Sequence, residues 1–423
     1  MTTALPRADI VVDASNVTSG GVLGHLRGLL SEAAQAPFES ILVIGGADQV
    51  DDFAGLHPRV QFFADPALGR CKWRRGTLGD MLDYLRLLAR LHRWRNRVLP
   101  ARATAARARL LLAANGILPR SGPPGIKTVA VSHNMLPFAP AEWPDLGIGL
   151  QRLRVMALRR AQMQSFRRAD GLIFLSEHAK RAITAAAGLD RPAPGNRRAP
   201  RSTVAYLGID HGLFHPPATI RQTLGDPIEL LYVSSLDRYK HHVEVVRAIA
   251  MLKHEHAPSS HPAIRLHLAG WEDGASARRL DGIIDREALT GTVIRHGFLP
   301  PERLADLYRS ADLFVFASTC ENCPTILIEA MASGLPMACT AADPMTEIAG
   351  TAAVNFNARD PASIAQALRR LIADHDLRRS LADQSQARAR AFTRANHAGI
   401  AWRFIGEIAG VRPSGVRPSE AGP

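Results

Sequence analysis

Apolar residues in the first half of the chain fall in short unbroken runs set between polar or glycine-bearing stretches. Asp9 to Asp13 and Ser40 to Gly45 read as buried strands, and Arg109 to Ala114, Thr128 to Ser132, Gly171 to Leu175 and Thr203 to Leu207 as further strands. Between them the spacing changes to three and four, as at Leu26, Leu29, Leu30 and Ala33, which predicts a helix from His25 to Ala36 after a turn at Ser19-Gly20-Gly21-Val22. Strands that alternate with helices predict a parallel, doubly wound α/β sheet. The pattern breaks at the Pro- and Arg-rich stretch from Arg191 to Arg201, and the polar stretch from His215 to Pro227 reads as a linker. It then restarts: strands at Glu229 to Ser234, Arg265 to Ala269, Leu313 to Ala317 and Pro336 to Thr340, helices at Glu244 to Lys253, Leu304 to Ser310 and Ile326 to Met331. Two such domains in tandem are expected, residues 1–215 and 216–393, with a disordered tail at 411–423.

One segment combines periodicity with charge. From Leu78 to Val98, Leu78, Met81, Leu82, Leu85, Leu88, Leu91 and Trp94 recur at helical spacing with Arg86, Arg90, Arg93 and Arg97 interleaved. The stretch from Arg59 to Arg109 holds thirteen basic residues and three acids, Asp65, Asp80 and Asp83. It carries much of the chain's net charge of +13, because residues 1–210 have 29 basic and 16 acidic side chains and the remainder has 23 of each. The amphipathic helix reads first as one packed on its own domain with a solvated basic face. The second reading is peripheral contact with an anionic membrane through the basic segment. Nucleic acid ranks third and no such partner is expected, since aromatic residues are 6% of the chain and no recognition motif accompanies the arginines.

Composition narrows the class. A hydrophobic content of 46% over 423 residues suits two cored domains and excludes a disordered or collagen-like chain. No apolar run is long enough to span a bilayer, and Met1 to Asp9 lacks a signal-peptide layout, so a cytoplasmic protein is expected. Cys71, Cys320, Cys323 and Cys339 are expected to be free thiols; the Cys320-x-x-Cys323 spacing lacks the second pair of a zinc site.

Four stretches at predicted strand ends could carry chemistry. Ser318 to Pro336 joins a strand to a helix, where free N–H groups of residues 322–325 favour negative charge, and it places Glu321 eight positions before Glu329. A carboxylate that accepts two hydrogen bonds suits a vicinal diol; the plain alternative is two solvated acids. Arg238 and Lys240 follow another strand and could neutralise a diphosphate, or form an exposed basic loop. The paired glycines Gly20 and Gly21 follow the first strand, yet no dinucleotide fingerprint or phosphate loop occurs. His133 stands at the mouth of a further strand. Asp374-His375-Asp376 reads as a helix cap, His254, His256 and His261 as exposed, and no metal is expected.

Glu321, seven residues, Glu329 and then Ala330-Met-Ala-Ser-Gly-Leu-Pro336, preceded by Lys240, resembles the group-1 (family 4) retaining glycosyltransferases. Leu268-Ala-Gly270, His296-Gly-Phe-Leu299, Glu347-Ile-Ala-Gly350 and Asn357 to Pro361 extend the resemblance over roughly residues 200–390, and it is thinner in the N-terminal half. It implies the GT-B architecture, two facing Rossmann-like domains with a cleft between them, the final helix near 394–410 returning to the first domain. It also implies transfer of a hexose from a nucleotide sugar to a glycan or lipid-linked acceptor, metal-independent and without a cofactor, in cell-surface polysaccharide or lipopolysaccharide assembly at the inner face of the membrane. A non-catalytic sugar or polyanion binder on the same fold is the alternative.

By the same resemblance Lys240, with Arg238, would hold the pyrophosphate, Glu329 the ribose and Glu321 the donor sugar. The backbone of Asn322, Cys323 and Thr325 would meet sugar and phosphates, Phe298 the base, Gly20 and Gly21 the phosphate, and His133 the transferred sugar. His133, Glu321 and Lys240 are therefore the expected catalytic set. Three departures stand out: Ser234-Ser235 where the family often has Gly-Arg, Lys240-His241 for Lys-Gly, and Asn322-Cys323-Pro324 for Gly-Phe-Gly, the last removing one N–H.

Overall fold

The computed structural model describes residues 5–17, 20–70, 79–144, 149–191, 199–218, 223–255 and 263–411. The chain divides into two compact units, Met1–Phe138 with Leu153–Leu207 and Arg394–Glu420, and Ala139–Arg152 with Gly208–Thr393 and Ala421–Pro423. This differs from the expected division at residue 215 in two places: the change of unit comes at Leu207, and Ala139–Arg152 belongs with the second unit. The stretch read as a linker is accordingly part of the second unit where it is described. There Pro216 and Pro217 line a cavity of about 390 Å³ with Tyr308 and Gly334.

In the first unit the strands are β1 (Ile10–Asp13), β2 (Ile41–Gly45), β3 (Val60–Ala64), β4 (Leu110–Ala113), β5 (Lys127–Val131), β6 (Gly171–Phe174) and β7 (Arg201–Val204). Helices α1 (Gly20–Ser31), α2 (Val50–Phe53), α3 (Gly79–Arg97), α4 (Leu99–Ala105), α5 (Leu150–Arg168) and α6 (Glu177–Ala187) lie between them. The strand order is β3-β2-β1-β4-β5-β6-β7 and every pairing is parallel. β1, β2, β4 and β6 are buried along their whole length, which is why their sequences read as continuous apolar runs. Helix α1 begins at Gly20 itself, a correction to the expected turn there, and Gly20 has φ +67°, a conformation costly for any residue with a Cβ.

Helix α3 packs on the unit's own core. Leu91 and Trp94 are buried among Leu68, Leu99 and Leu111, while Arg86, Arg93 and Arg97 face solvent. Residues 71–78 of the basic stretch, and the side chains of Met81, Leu82 and Leu85, lie outside the described residues, as do Leu78, Cys71, most of the 191–201 stretch, His256, His261 and the 412–423 tail. Among the described residues of the basic stretch the buried cation is Arg95, which pairs with the buried Asp13 at 2.8 Å and donates to Ser15 at 2.9 Å. Asp65 takes Arg102 at 2.9 Å and the indole N–H of Trp94 at 3.1 Å. Burial acts to raise the Asp65 pKa, but these bonds and the Ala67 N–H outweigh it and hold the carboxyl below its usual range.

The second unit repeats the scheme with β8 (Ile228–Val233), β9 (Ile264–Ala269), β10 (Val293–Gly297), β11 (Leu313–Phe316), β12 (Met337–Thr340) and β13 (Ala353–Phe356). Its helices are α7 (His242–Glu255), α8 (Gly274–Arg286), α9 (Pro301–Ser310), α10 (Thr325–Ala332), α11 (Met345–Ala349), α12 (Pro361–Ala373) and α13 (His375–Ala389). The order is β10-β9-β8-β11-β12-β13, again parallel throughout. The last helix, α14 (Arg394–Ala409), is part of the first unit. A Cβ on Gly171 of β6 would meet Ile408 at 2.8 Å, and Trp402 donates its indole N–H to Leu29 O at 3.1 Å.

In each sheet the winding reverses once, between β1 and β4 and between β8 and β11. Open α/β sheets bind ligands outside the carboxyl ends of strands at such a reversal.

Candidate active site

The reversal in the second unit is where the sequence-derived residues converge. After β8 the chain turns through a single 3₁₀ turn, Arg238–Lys240, and after β11 it runs through Ser318 to Pro324 into α10. Lys240 and Glu321 form a buried ion pair with their side chains 9% and 16% exposed. The ammonium also lies 5.2 Å from the Tyr239 ring centroid and 5.8 Å from that of Phe316, both within cation–π range. A buried pair of this kind is a costly device for stability alone, and it presents a preset positive and negative charge beside a helix start. Arg238, by contrast, is exposed on the rim of a cavity of about 470 Å³ that Arg279 and Arg359 also line.

The loop can hold Lys240 because of its neighbours. Tyr232 on β8 donates its hydroxyl to Lys240 O, and its ring stacks on His242, 4.6 Å centroid to centroid. His241 adopts the left-handed conformation, φ 52°, ψ 37°. Its ring is fixed by Thr319 at 3.1 Å and by Glu244 at 3.5 Å, contacts that offset a backbone cost of about 1–2 kcal/mol. This accounts for the departure from Lys-Gly: a left-handed position that glycine fills freely is here filled by a tethered histidine. Ser234 and Ser235, which replace Gly-Arg, bond to His242 at 3.1 Å and Asp237 at 2.6 Å and add no cation. Gly270 is required opposite them, since a Cβ there would come 2.0 Å from Ser234 O.

Helix α10 starts after Pro324 and ends at Gly334, φ +74°, whose N–H bonds Met331 O while Leu335 N bonds Ala330 O, a Schellman-type stop. In the first turn Leu327 and Ile328 donate their N–H groups to Pro324 O at 3.1 and 3.3 Å, so the groups that a helix start leaves without an intrahelical acceptor are those of Thr325 and Ile326. Asn322 and Cys323 precede it and are buried. Glu329, one turn in, is partly buried, and Tyr308 of α9 lies 3.1 Å from its carboxyl and 3.1 Å from Ile326 O. Burial pushes the Glu329 pKa up to about 7 against the opposing Tyr308 bond. A phenol has one hydrogen and here meets two acceptors, a conflict relieved when Glu329 carries a proton and donates to Tyr308. The reading of Glu329 as a solvated surface acid is therefore wrong, and Tyr308, given no role by its sequence position, is its partner.

Phe298, after β10, is 76% exposed. Burial raises the thiol pKa of Cys320 to about 12, with Glu321 adding to it, so this thiol is neutral at pH 7, and Cys320 and Cys323 are both free cysteines. No three metal-capable side chains cluster among the described residues. Asp374 caps α13 by accepting from Leu377 N at 2.9 Å.

In the first unit His133 follows β5 and is partly exposed. His25 of α1, Nδ1 to Nε2, lies 2.9 Å from it, and His25 Nε2 lies 2.6 Å from Nε2 of His397 on α14. Spacings of 108 and 372 residues carried no sequence signal for this row.

Residues 220–388 match the family described as "Glycosyl transferases group 1". The chain carries a group 1 glycosyltransferase domain. This domain holds Arg238, Lys240, Phe298, Glu321 and Glu329 together. A D-inositol 3-phosphate glycosyltransferase of Nocardia farcinica is 30% identical over 248 residues, 56% of this chain and 51% of that protein. The chain spans about half the length of the curated relatives it matches. Among solved structures, Anabaena HepE in complex with UDP-glucose has a TM-score of 0.64 at 19% identity, covering 96% of this chain and 99% of that one. A trehalose-6-phosphate synthase, studied for glycosyl transfer with retention, has a TM-score of 0.67 at 15% identity, covering 96% and 100%. At such identities the likeness is one of fold, and the glycosyltransferase domain sits within a GT-B fold. No described helix is long and apolar enough to cross a membrane.

Proposed function

We propose that the chain is a glycosyltransferase that binds a nucleotide-sugar donor on its second unit and transfers the sugar with retention. The observation that carries this reading is the buried Lys240–Glu321 pair beside the start of α10, with Glu329 one turn further on. Breaking a glycosyl phosphate bond leaves a diphosphate whose growing charge must be met by fixed cations and dipoles. Lys240 and the N–H groups opening α10 supply these, with Arg238 at the rim. Glu321, held by Lys240, accepts from hydroxyls of the sugar, and Glu329 from the ribose diol. The basic first unit is assigned the acceptor, a glycan or a lipid-linked sugar, and within that unit Gly20, Gly21 and His133 are read as the residues that face substrate. UDP-sugars are the first donors to try, since a fold relative binds UDP-glucose.

The test is calorimetric binding of a nucleotide-sugar panel to the parent, followed by release of nucleoside diphosphate with and without glycan acceptors. Binding with turnover, both weakened in Lys240→Ala, is expected. A folded Lys240→Ala variant that binds and turns over like the parent overturns the assignment, and binding without any turnover replaces the enzyme with a sugar binder.

A further inference from the structure

The three histidines of the first unit form a row with His25 in the middle. Its ring centroid is 4.6 Å from each neighbour. This is not a chelating arrangement, because His25 uses both nitrogens in hydrogen bonds and the two contacts do not converge on one point. Instead, the row has a direction that begins at the backbone. His397 Nδ1 faces two carbonyls, Tyr206 O at 3.0 Å and Ala205 O at 3.2 Å. Carbonyls only accept, so this nitrogen carries hydrogen.

Burial, opposed by those carbonyl bonds, lowers the His397 pKa to about 4. Burial with added repulsion from His397 lowers His133 to about 3, and burial with repulsion from both neighbours lowers His25 well below its usual value. Each ring is thus neutral at pH 7 and holds one hydrogen. With Nδ1 occupied, His397 Nε2 is bare and must accept from His25 Nε2. His25 Nδ1 is then bare and must accept from His133 Nε2. His133 is left with its hydrogen committed inward and Nδ1 bare.

We propose that His25 and His397 are positioning residues that lock His133 in the Nε2–H tautomer, so that its Nδ1 receives a hydrogen bond from a sugar hydroxyl and cannot offer one. The proposal rests on the reading of His133 as a residue that faces substrate. It gives α14 a function beyond packing, since His397 is the element that reads the backbone and sets the order.

Long-range nitrogen–proton NMR on the full chain reports the tautomer directly, with rings assigned through single His→Gln variants. The expected spectrum has His133 protonated at Nε2 and bare at Nδ1, without any ligand. The companion measurement is sugar transfer by His25→Gln and His25→Leu. A carboxamide can accept from His133 and donate to His397, so His25→Gln keeps the order and is expected to stay within about threefold of the parent. His25→Leu strands both neighbours and is expected to lose about 10- to 100-fold, the range seen when an orienting partner is removed. A hydrogen on His133 Nδ1 in the parent overturns the proposal. So does equal loss in Gln and Leu variants, which would mean that ring titration and not orientation matters, or full activity in a His25→Leu protein that melts like the parent. If the parent transfers no sugar, the functional reading fails on its own, and the NMR measurement still decides the tautomer.

Discussion

The two reversal points share one strand order and differ in chemistry. At the β8/β11 reversal a buried lysine and a mostly buried carboxylate face each other; in the first unit three histidine rings, on α1, after β5 and on α14, lie in a hydrogen-bonded row. The first unit also has a buried ion pair, Arg95–Asp13, but its members are 7% and 0% exposed and Arg95 spends a further N–H on the buried Ser15. Sheets of the same winding therefore say little about chemistry, and which charges sit at the strand ends says most of it. A buried pair flanked by a helix start reads as a binding device, and one sealed among core side chains reads as a structural tie.

The sharpest way to break this contrast is to remove one cation from each pair. Lys240→Ala should cut turnover by about 10²–10³-fold, the usual loss when a group stabilising transition-state charge is removed. Arg95→Ala should instead lower the stability of the first unit by about 3–5 kcal/mol by leaving Asp13 buried and alone. Denaturant melts and steady-state rates on the two variants separate the effects, and a Lys240→Ala protein that loses only stability would erase the distinction.

Next in size is Glu329. Its folded pKa, about 7, is above its ordinary value of 4.5, so between these pH values the folded chain keeps a proton that the unfolded chain has lost. Stability from this group is therefore full at low pH and declines as pH rises through the window. Glu329→Gln should flatten that slope, melt no lower than the parent at pH 8, and bind nucleotide sugar about tenfold more weakly. In the parent, donor affinity should fall below pH 7 as the carboxylate is lost, about tenfold per unit if two accepted hydrogen bonds are needed. Titration calorimetry from pH 5.5 to 8.5 checks both signs.

Smaller effects test the left-handed position. His241→Val should cost about 1–3 kcal/mol in thermal unfolding, from strain and two lost contacts, whereas His241→Gly should cost clearly less. The smallest effect is expected from replacing Arg86, Arg93 and Arg97 with Gln. These exposed side chains should change stability by no more than about 0.5 kcal/mol. A large loss would mean that the face of α3 is not simply solvated.

The interior of both sheets was legible because a parallel strand covered on two faces has to be apolar throughout, and each such run was found to within a residue or two. The strands that escaped notice were β3, β10 and β13, all at sheet edges. In β3 only Val60 is buried, β13 alternates, and β10 is half-exposed throughout, so Val-Ile-Arg-His-Gly carries no apolar signature. Lys240, Glu321 and Glu329 were legible as residues, since their spacing is local to two loops and one helix. Their states were not: that Lys240 and Glu321 hold each other, or that Glu329 is lifted toward neutrality beside Tyr308, depends on side chains about 20 to 80 positions apart.

The sequence by itself determined the alternation, the doubly wound class and the family motif, because periodicity and short spacings are local properties of the chain, whereas the strand order and its two reversal points came from the sheets. Only the tertiary structure decided which charges are paired, which titrate unusually and which histidines touch. Those outcomes depend on burial and on distances of about 3 Å, and a chain acquires both only when distant elements such as α1, β5 and α14 pack against one another.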